Sequence, residues 1–553
     1  MAGKKSAPVV HETHVVMLKK GSVTAVTVMP DYQGSLEPFA LVLAVPADVT
    51  AERVVTLKRE YVDHADTLSA PRFHEFWEQD PCDPGPAEQE WQRNLKVTGT
   101  GFLGGPDPTQ GAQRKVAAEL SLDVQSKTKE GEYKISVLPA GTSPLEWLKS
   151  KGYAAPTGAA EAVAPYVSQG MVFVVAEVDT RRIELVGGDR AQLSPIRFAT
   201  EQPYDTLPVR LGLLNASKDK QELFVYSFDA DNRYEVGNYK NVNAPTNIEV
   251  DFAVKERMGE FYNSLYDTIL AKDPKSVLKE YAWPADGCGQ PCATEPMALS
   301  ELLSLGGDAF ERTLPEAEQN PKPPALTKEE LEADKELLKP LKPKDRKNKQ
   351  KELAEDRKRI AQVKALVGRH KYLLSRLHYR YDDKSLSEDP KLVPVKGGLE
   401  GGIALPKGQK REASTDIKEA SDSKYQTRYN NFHNWKPVIH CPNPDRWKWG
   451  KSPPDYRGLR KVWVAEDLTR KSRTQIQAAK TVITEIPSLG LGASAVKPDV
   501  DAGADASADA GTAAEASKGC GCRTAGAGEH RSAAFALFGI ALAALGLRRR
   551  RSA

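Results

Sequence analysis

The chain has 553 residues, 28% of them charged and 40% hydrophobic, a balance that supplies a buried core and excludes a collagen-like repeat or a wholly disordered polymer. Lysine plus arginine (78) almost cancels aspartate plus glutamate (75), leaving +3, so whole-chain charge points to no nucleic-acid partner. Six cysteines in so long a chain exclude a small disulfide-stapled scaffold.

Strand-like alternation (HVVMLKK, then SVTAVTVMP) starts soon after Met1, and no apolar signal-peptide core precedes it. An exported chain needs one, so the expectation is a start that lies further upstream. Residues 38–46 (PFALVLAVP) form a β-rich apolar run bounded by prolines and predict a buried strand. Residues 51–76 predict two helical pieces split by Pro71. A short helix is signalled by Ser143 as N-cap, Pro144 at the first helical position, Glu146 in a capping box and Gly152 as the stop. Further strands are predicted at 133–138, 171–178, 196–199, 207–214, 222–228 and 234–239, with hairpin-type turn residues Asp229 to Asn232 between the last two. The clearest helix spans 254–269, where Val254, Met258, Phe261, Leu265 and Ile269 share one face. Tandem strands without intervening helices predict an α+β body, 1–313 and 372–487, with a largely antiparallel sheet and packed helices.

Residues 314–371 look inserted. Prolines bracket a capping box of Thr327 and Glu330, and a second helix runs to His370 with Ile360, Val363 and Val367 on its stripe. Thirteen basic residues outnumber four acidic ones between Lys342 and Arg376. The plainer reading is a charged, solvated helical hairpin; the functional one is an arm for an anionic envelope partner. Residues 488–518 are an Ala/Asp/Gly linker with too little apolar surface to fold.

Catalytic signatures are sparse. No GxSxG elbow, P-loop or paired-carboxylate motif appears, and no catalytic residue, cofactor or metal is assigned. Gly99 to Gly104 satisfies GxGxxG, but Pro106 and Pro108 follow, so it reads as a surface loop. His74 and Glu75 begin like a zincin helix, yet position 78 is Glu. His11 and His14, three apart on a strand, point to opposite faces. Cys288 and Cys292 surround Gly and Pro; a local disulfide there contributes about 2 kcal/mol in the chain-entropy model. Structural zinc wants two close pairs, and free thiols are the other alternative. A Cys82–Cys441 bridge follows only by elimination. The stretch holding His433, His440, Trp435, Trp447 and Trp449 reads as packed aromatic chain with a hint of a glycan or protein contact surface.

Several phrases carry a resemblance: DYQG at 31–34 with PFALVLAVP, WEQDPC at 77–82, LPVRLGLLN at 207–215, the Cys288–Cys292 pair and RLHYRYD at 376–382. Together they resemble the uncharacterised domain-of-unknown-function family 2330. The resemblance implies an exported bacterial protein and brings no catalytic residues with it. Members usually begin with an export signal and an early cysteine, which this chain lacks.

The C-terminus combines Gly519, Cys520, Gly521 and Cys522 with an uncharged run at 533–547 and then Arg548, Arg549, Arg550 and Arg551. As a helix the run rises about 22 Å, a marginal span of a hydrocarbon core of about 30 Å. The arginines hold their end on the cytoplasmic side. This order resembles the MYXO-CTERM sorting domain, which implies cleavage by a sorting protease near a cysteine that becomes lipidated, and surface retention. The expectation is an exported, surface-retained protein of unknown activity, membrane-associated through its tail and non-enzymatic, in a binding or structural role. The alternatives are an exported envelope enzyme of the hydrolase class and a cytoplasmic tail-anchored protein.

Overall fold

Valine-rich alternation after Glu12 becomes two long strands, Glu12–Lys20 and Val23–Gln33, paired antiparallel across Gly21, whose φ of +58° suits glycine. Strand Gln221–Asp229 adds to Glu12–Lys20 in parallel, Leu373–Tyr381 pairs with it antiparallel, and Val277–Pro284 follows. These five strands are the middle of the largest sheet. All nine residues of Gln221–Asp229 are buried, because both faces of the sheet are covered.

One face packs against helices Glu60–Ser69 and Met258–Lys272. The other packs against a four-stranded sheet of Ala2–Gly3, Phe39–Val45, Val172–Val178 and Tyr133–Val137. Helix Ala159–Ser168 covers the far side of that second sheet. The order of layers is therefore helix, sheet, sheet, helix, an α+β arrangement with mostly antiparallel pairing. A further mixed sheet carries Arg72–Glu78 between Arg428–His433 and Trp449–Gly450.

The structure is a computed structural model that describes residues 1–4, 8–34, 37–82, 131–183, 185–187, 190–216, 220–289, 292–403, 405, 414–450, 463–464 and 481–491. They belong to one compact unit, 1–496. Gly99 to Gly104, most of the linker, Gly519 to Cys522, the apolar helix expected at 533–547 and Arg548 to Arg551 lie outside the described residues. Among the described residues no helix is long and apolar enough to cross a membrane.

Several local expectations are corrected. After Pro71 the chain is not a second helical piece but strand Arg72–Glu78, because its Phe and Trp residues pack within a sheet, a context that overrides local helical spacing. The apolar run at 207–214 is a 3-10 helix, Val209–Asn215, entered from Pro208; a short apolar run does not distinguish strand from helix. Asp229 does form a turn, its Oδ1 accepting the Asp231 and Asn232 amides at 2.9 Å. No hairpin results, since Arg233–Val236 leaves the large sheet to pair with Leu392–Val395. The helix expected at 254–269 begins later, at Met258, after the 3-10 turn Phe252–Val254, with its apolar face buried. Residues 314–371 carry helices Lys328–Leu338 and Pro343–Arg369, the first opened by reciprocal bonds between Thr327 and Glu330. Ordered chain continues past 488, with 3-10 helix Pro487–Leu489 and buried Leu491.

Candidate functional site

The second sheet has an edge that its strands leave open. Strand Phe39–Val45 pairs along its length with Val172–Val178, but on its other side only Phe39 and Ala40 meet Ala2–Gly3. Beside Leu41 to Ala44 lies a cavity of about 120 Å³, walled by the large sheet at Val15 and Val26, by helix Ala159–Ser168 and by the 3-10 helix Val209–Asn215. Small residues such as Ala44, Ala159 and Gly212 leave the space.

The walls hold no Asp, Glu, His, Lys, Arg or Cys. Their polar side chains are Thr13, Tyr204, Asn215 and Tyr381. Asn215 is engaged with backbone oxygens of Met1 and Pro8. Tyr381 and Tyr204 are 2% and 8% exposed. Burial, reinforced by Asp389, pushes both phenols far above their ordinary pKa, so they are neutral hydroxyls. Such a cavity can hold apolar matter; the one basic group on its lining is the Met1 amine, which donates to Asn215 Oδ1 at 2.6 Å and whose pKa burial lowers to about 5.

The titratable groups that do converge lie on the opposite face of the large sheet. Arg376, His378 and Arg380 alternate along Leu373–Tyr381 and point at helix Met258–Lys272. His378 Nδ1 is 2.8 Å from Glu280 Oε1 and Nε2 is 2.7 Å from Glu222 Oε2, so the imidazolium donates to both carboxylates. Arg376 Nε donates to Glu280 Oε2 at 2.6 Å, and its guanidinium also meets Asp66. Arg380 Nε donates to Glu222 Oε1 at 2.6 Å. Tyr262 and Tyr226 donate to Glu280 and Asp66, each at 2.6 Å. A bulge between Lys279 and Tyr281 turns Glu280 into this group.

Four carboxylates, Asp66, Glu222, Glu280 and the more exposed Asp267, thus surround Arg376, Arg380 and protonated His378. Burial pushes His378 down, but Glu280 and Glu222 outweigh it and raise its pKa. Burial likewise lifts Glu280, yet His378 and Arg376 hold it at about 2. The arginines and the imidazolium are buried and each is paired with a carboxylate, which suits a structural role.

A third group sits at the edge of the mixed sheet. Glu75 Oε1 lies 2.8 Å from His433 Nε2, Lys255 Nζ lies 3.3 Å from Glu75 Oε2, and Trp77 stacks on His433 with centroids 4.4 Å apart. Glu78 accepts Arg446 Nε at 2.6 Å and the amides of Trp435 and Trp447 at 2.8 and 2.9 Å. Burial lifts that carboxyl, but these donors outweigh it and hold it below its usual range. Trp447 has φ +72°, a conformation that bulky residues rarely adopt. The Cys82–Cys441 bridge, with Cα atoms 5.5 Å apart, ties this loop to the end of strand Arg72–Glu78. Cys288 and Cys292 are bridged as well, with Cα atoms 5.6 Å apart.

His74, Glu75 and Glu78 lie on a strand, so the zincin-like spacing gathers nothing on a helix face. His14 is buried against Tyr226 at 2.9 Å, and His11 contacts Gln33 at 2.5 Å. Among the described residues no three metal-ligating side chains converge. Sequence reasoning missed Asp66, Glu222, Glu280 and His378. The available signal was RLHYRYD, with charged residues at period two inside an otherwise apolar strand.

Residues 2–393 match the model of a family described as an uncharacterized protein conserved in bacteria (DUF2330). No curated protein and no solved structure matches the chain.

Proposed function

The chain belongs to the bacterial family DUF2330, and we propose that it is an exported, surface-retained protein that binds a small ligand without transforming it. The observation that carries this reading is the cavity beside Leu41 to Ala44, whose walls are mostly apolar and hold no carboxylate, imidazole, thiol, lysine or arginine side chain. The acids and bases that do meet are paired with one another in the buried cluster around His378. Export is supported by the two bridged cysteine pairs, since disulfides persist in oxidising compartments. Retention is supported by the order of linker, Gly519 to Cys522, apolar run and Arg548 to Arg551, a tail suited to a sorting protease and to the membrane. The basic helix Pro343–Arg369 then faces the envelope, where an anionic lipid partner fits its charge.

Protease added to intact cells, followed by mass analysis of the mature C-terminus, tests the address. Digestion of the body and an end near Cys520 or Cys522 are expected. A cytosolic, protease-resistant protein that still ends in Ala553 refutes it. A second reading, an envelope hydrolase, is favoured by one feature only, the half-exposed His433 held by buried Glu75 near Lys255. Turnover of ester or amide substrates that disappears in Glu75→Gln would select it.

A further inference from the structure

We infer that helix Pro343–Arg369 lies along an anionic lipid bilayer through one row of lysines, Lys344, Lys347, Lys351 and Lys358, and acts as a second anchor beside the C-terminal tail. This rests on the surface-retained reading above and names the contact face of its basic helix.

The row follows from helix geometry. At about 100° per residue the four lysines fall within about 60° of one another and span about 21 Å, and all four are exposed. Leu353, Ile360 and Val367 lie on the opposite side, where Leu353 is buried. The inward cations are used by the fold: Arg357 pairs with Asp334 of helix Lys328–Leu338 at 2.6 Å, and Arg346 donates to the carbonyls of Leu338 and Lys339 at the end of that helix. The outward ones are left over. Lys351 lies 3.9 Å from Glu355, and Lys344, Lys347 and Lys358 have no ionic partner among the described residues. A merely solvated helix interleaves its charges. Here the signs are separated between the two helices: Lys328–Leu338 carries five acidic and two basic residues, Pro343–Arg369 four acidic and ten basic.

The chemistry of the row selects a lipid surface. Lysine ammoniums are compact point charges suited to headgroup phosphates spread over a plane, and a straight row meets a plane with all four at once. The helix holds no aromatic side chain, either to stack a nucleobase or to wedge into acyl chains, so the contact is electrostatic and sensitive to salt. Each lysine beside an anionic leaflet strengthens partitioning about fivefold, so four supply several hundredfold. A single acyl chain anchors a protein only marginally, and a polybasic face is the second signal that makes retention stable.

The test is partition of the purified full chain onto vesicles of phosphatidylglycerol and phosphatidylcholine in equal parts, against vesicles of phosphatidylcholine alone, with acetic anhydride labelling of lysines read by mass spectrometry. Tighter partition onto the anionic vesicles is expected, and it should be lost in about 1 M salt. The four lysines should be protected from acetylation there, and the exposed Lys134 of the second sheet should not. Changing all four to glutamine alters exposed side chains only, so the variant should keep the wild-type melting temperature and partition at least about a hundredfold more weakly onto anionic vesicles, the tail being common to both proteins. Equal partition of variant and wild type overturns the contact face. Equal partition of the wild type onto both vesicles overturns the anionic partner. Protection of the same lysines by duplex DNA and not by vesicles moves the face to nucleic acid and overturns the lipid. The assay uses purified protein, so the export reading stands or falls separately, on surface protease accessibility.

Discussion

Replacing Glu280 with glutamine keeps the shape of the buried cluster and removes one of its charges. Glu280 is fully buried and receives His378 at 2.8 Å, Arg376 at 2.6 Å and Tyr262 at 2.6 Å. The variant leaves an uncompensated positive charge among Arg376, His378 and Arg380, and breaking a buried pair in this way costs about 3–5 kcal/mol. The loss should depend on pH in a definite sense. The native carboxyl sits at about 2 against an ordinary 4.5, so its folded pKa is the lower one. Its stabilisation is therefore complete above pH 4.5 and is lost as pH falls toward 2, roughly 3 kcal/mol in all at about 1.4 kcal/mol per unit. Urea unfolding of the two proteins should show a gap of about 3–5 kcal/mol at pH 7 that narrows by about 2 kcal/mol between pH 5 and pH 3. His378 works in the opposite sense: its raised pKa contributes stability below pH 6.5 that is lost as pH rises through the folded value. A gap that stays constant from pH 5 to pH 3 refutes an ionised Glu280 in the native state, and one near zero at pH 7 refutes the charge balance.

The two disulfides should differ in weight, because Cys82–Cys441 spans 359 positions and Cys288–Cys292 spans 4. The chain-entropy model assigns them about 6 and about 2 kcal/mol, so Cys82→Ala should lower the denaturation midpoint about three times as far as Cys288→Ala; equal shifts on chemical unfolding would contradict this. Gly306 has φ +146° and a Cβ there would come within 2.3 Å of the Ala25 Cβ, so Gly306→Ala should cost about 2 kcal/mol or more in thermal unfolding. An unchanged melting temperature would show that the 303–307 segment repacks freely.

The main helix is legible because burial on one side writes a period into the chain. The spacing of Met258, Phe261, Leu265 and Ile269 is a direct record of a covered face. Strand Arg72–Glu78 leaves no such record: six of its seven residues are buried, so alternation is erased. The cluster is invisible for a different reason. Asp66, Glu222, Glu280 and His378 are unremarkable singly, and only the register that sets Phe224 opposite His378, and the bulge at Glu280, bring them together. The cavity is harder still, since it exists where side-chain volume is missing, and Ala44, Ala159 and Gly212 announce nothing in a sequence.

Strand Leu373–Tyr381 joins the two features, and its period of two explains why they belong together. Arg376, His378 and Arg380 face the helices, while Leu377, Tyr379 and Tyr381 face the second sheet. A slip of one residue would drive two guanidinium groups and an imidazolium into the apolar interface and leave Asp66, Glu222 and Glu280 without counter-charges, a far larger penalty than slipping a purely apolar strand. A paired buried cluster adds little net stability compared with well-packed apolar residues, so its worth lies in excluding that alternative register. The register so held is what places Tyr381 on the cavity wall. The charges on one side of the strand thereby determine which side chains the cavity wall presents on the other.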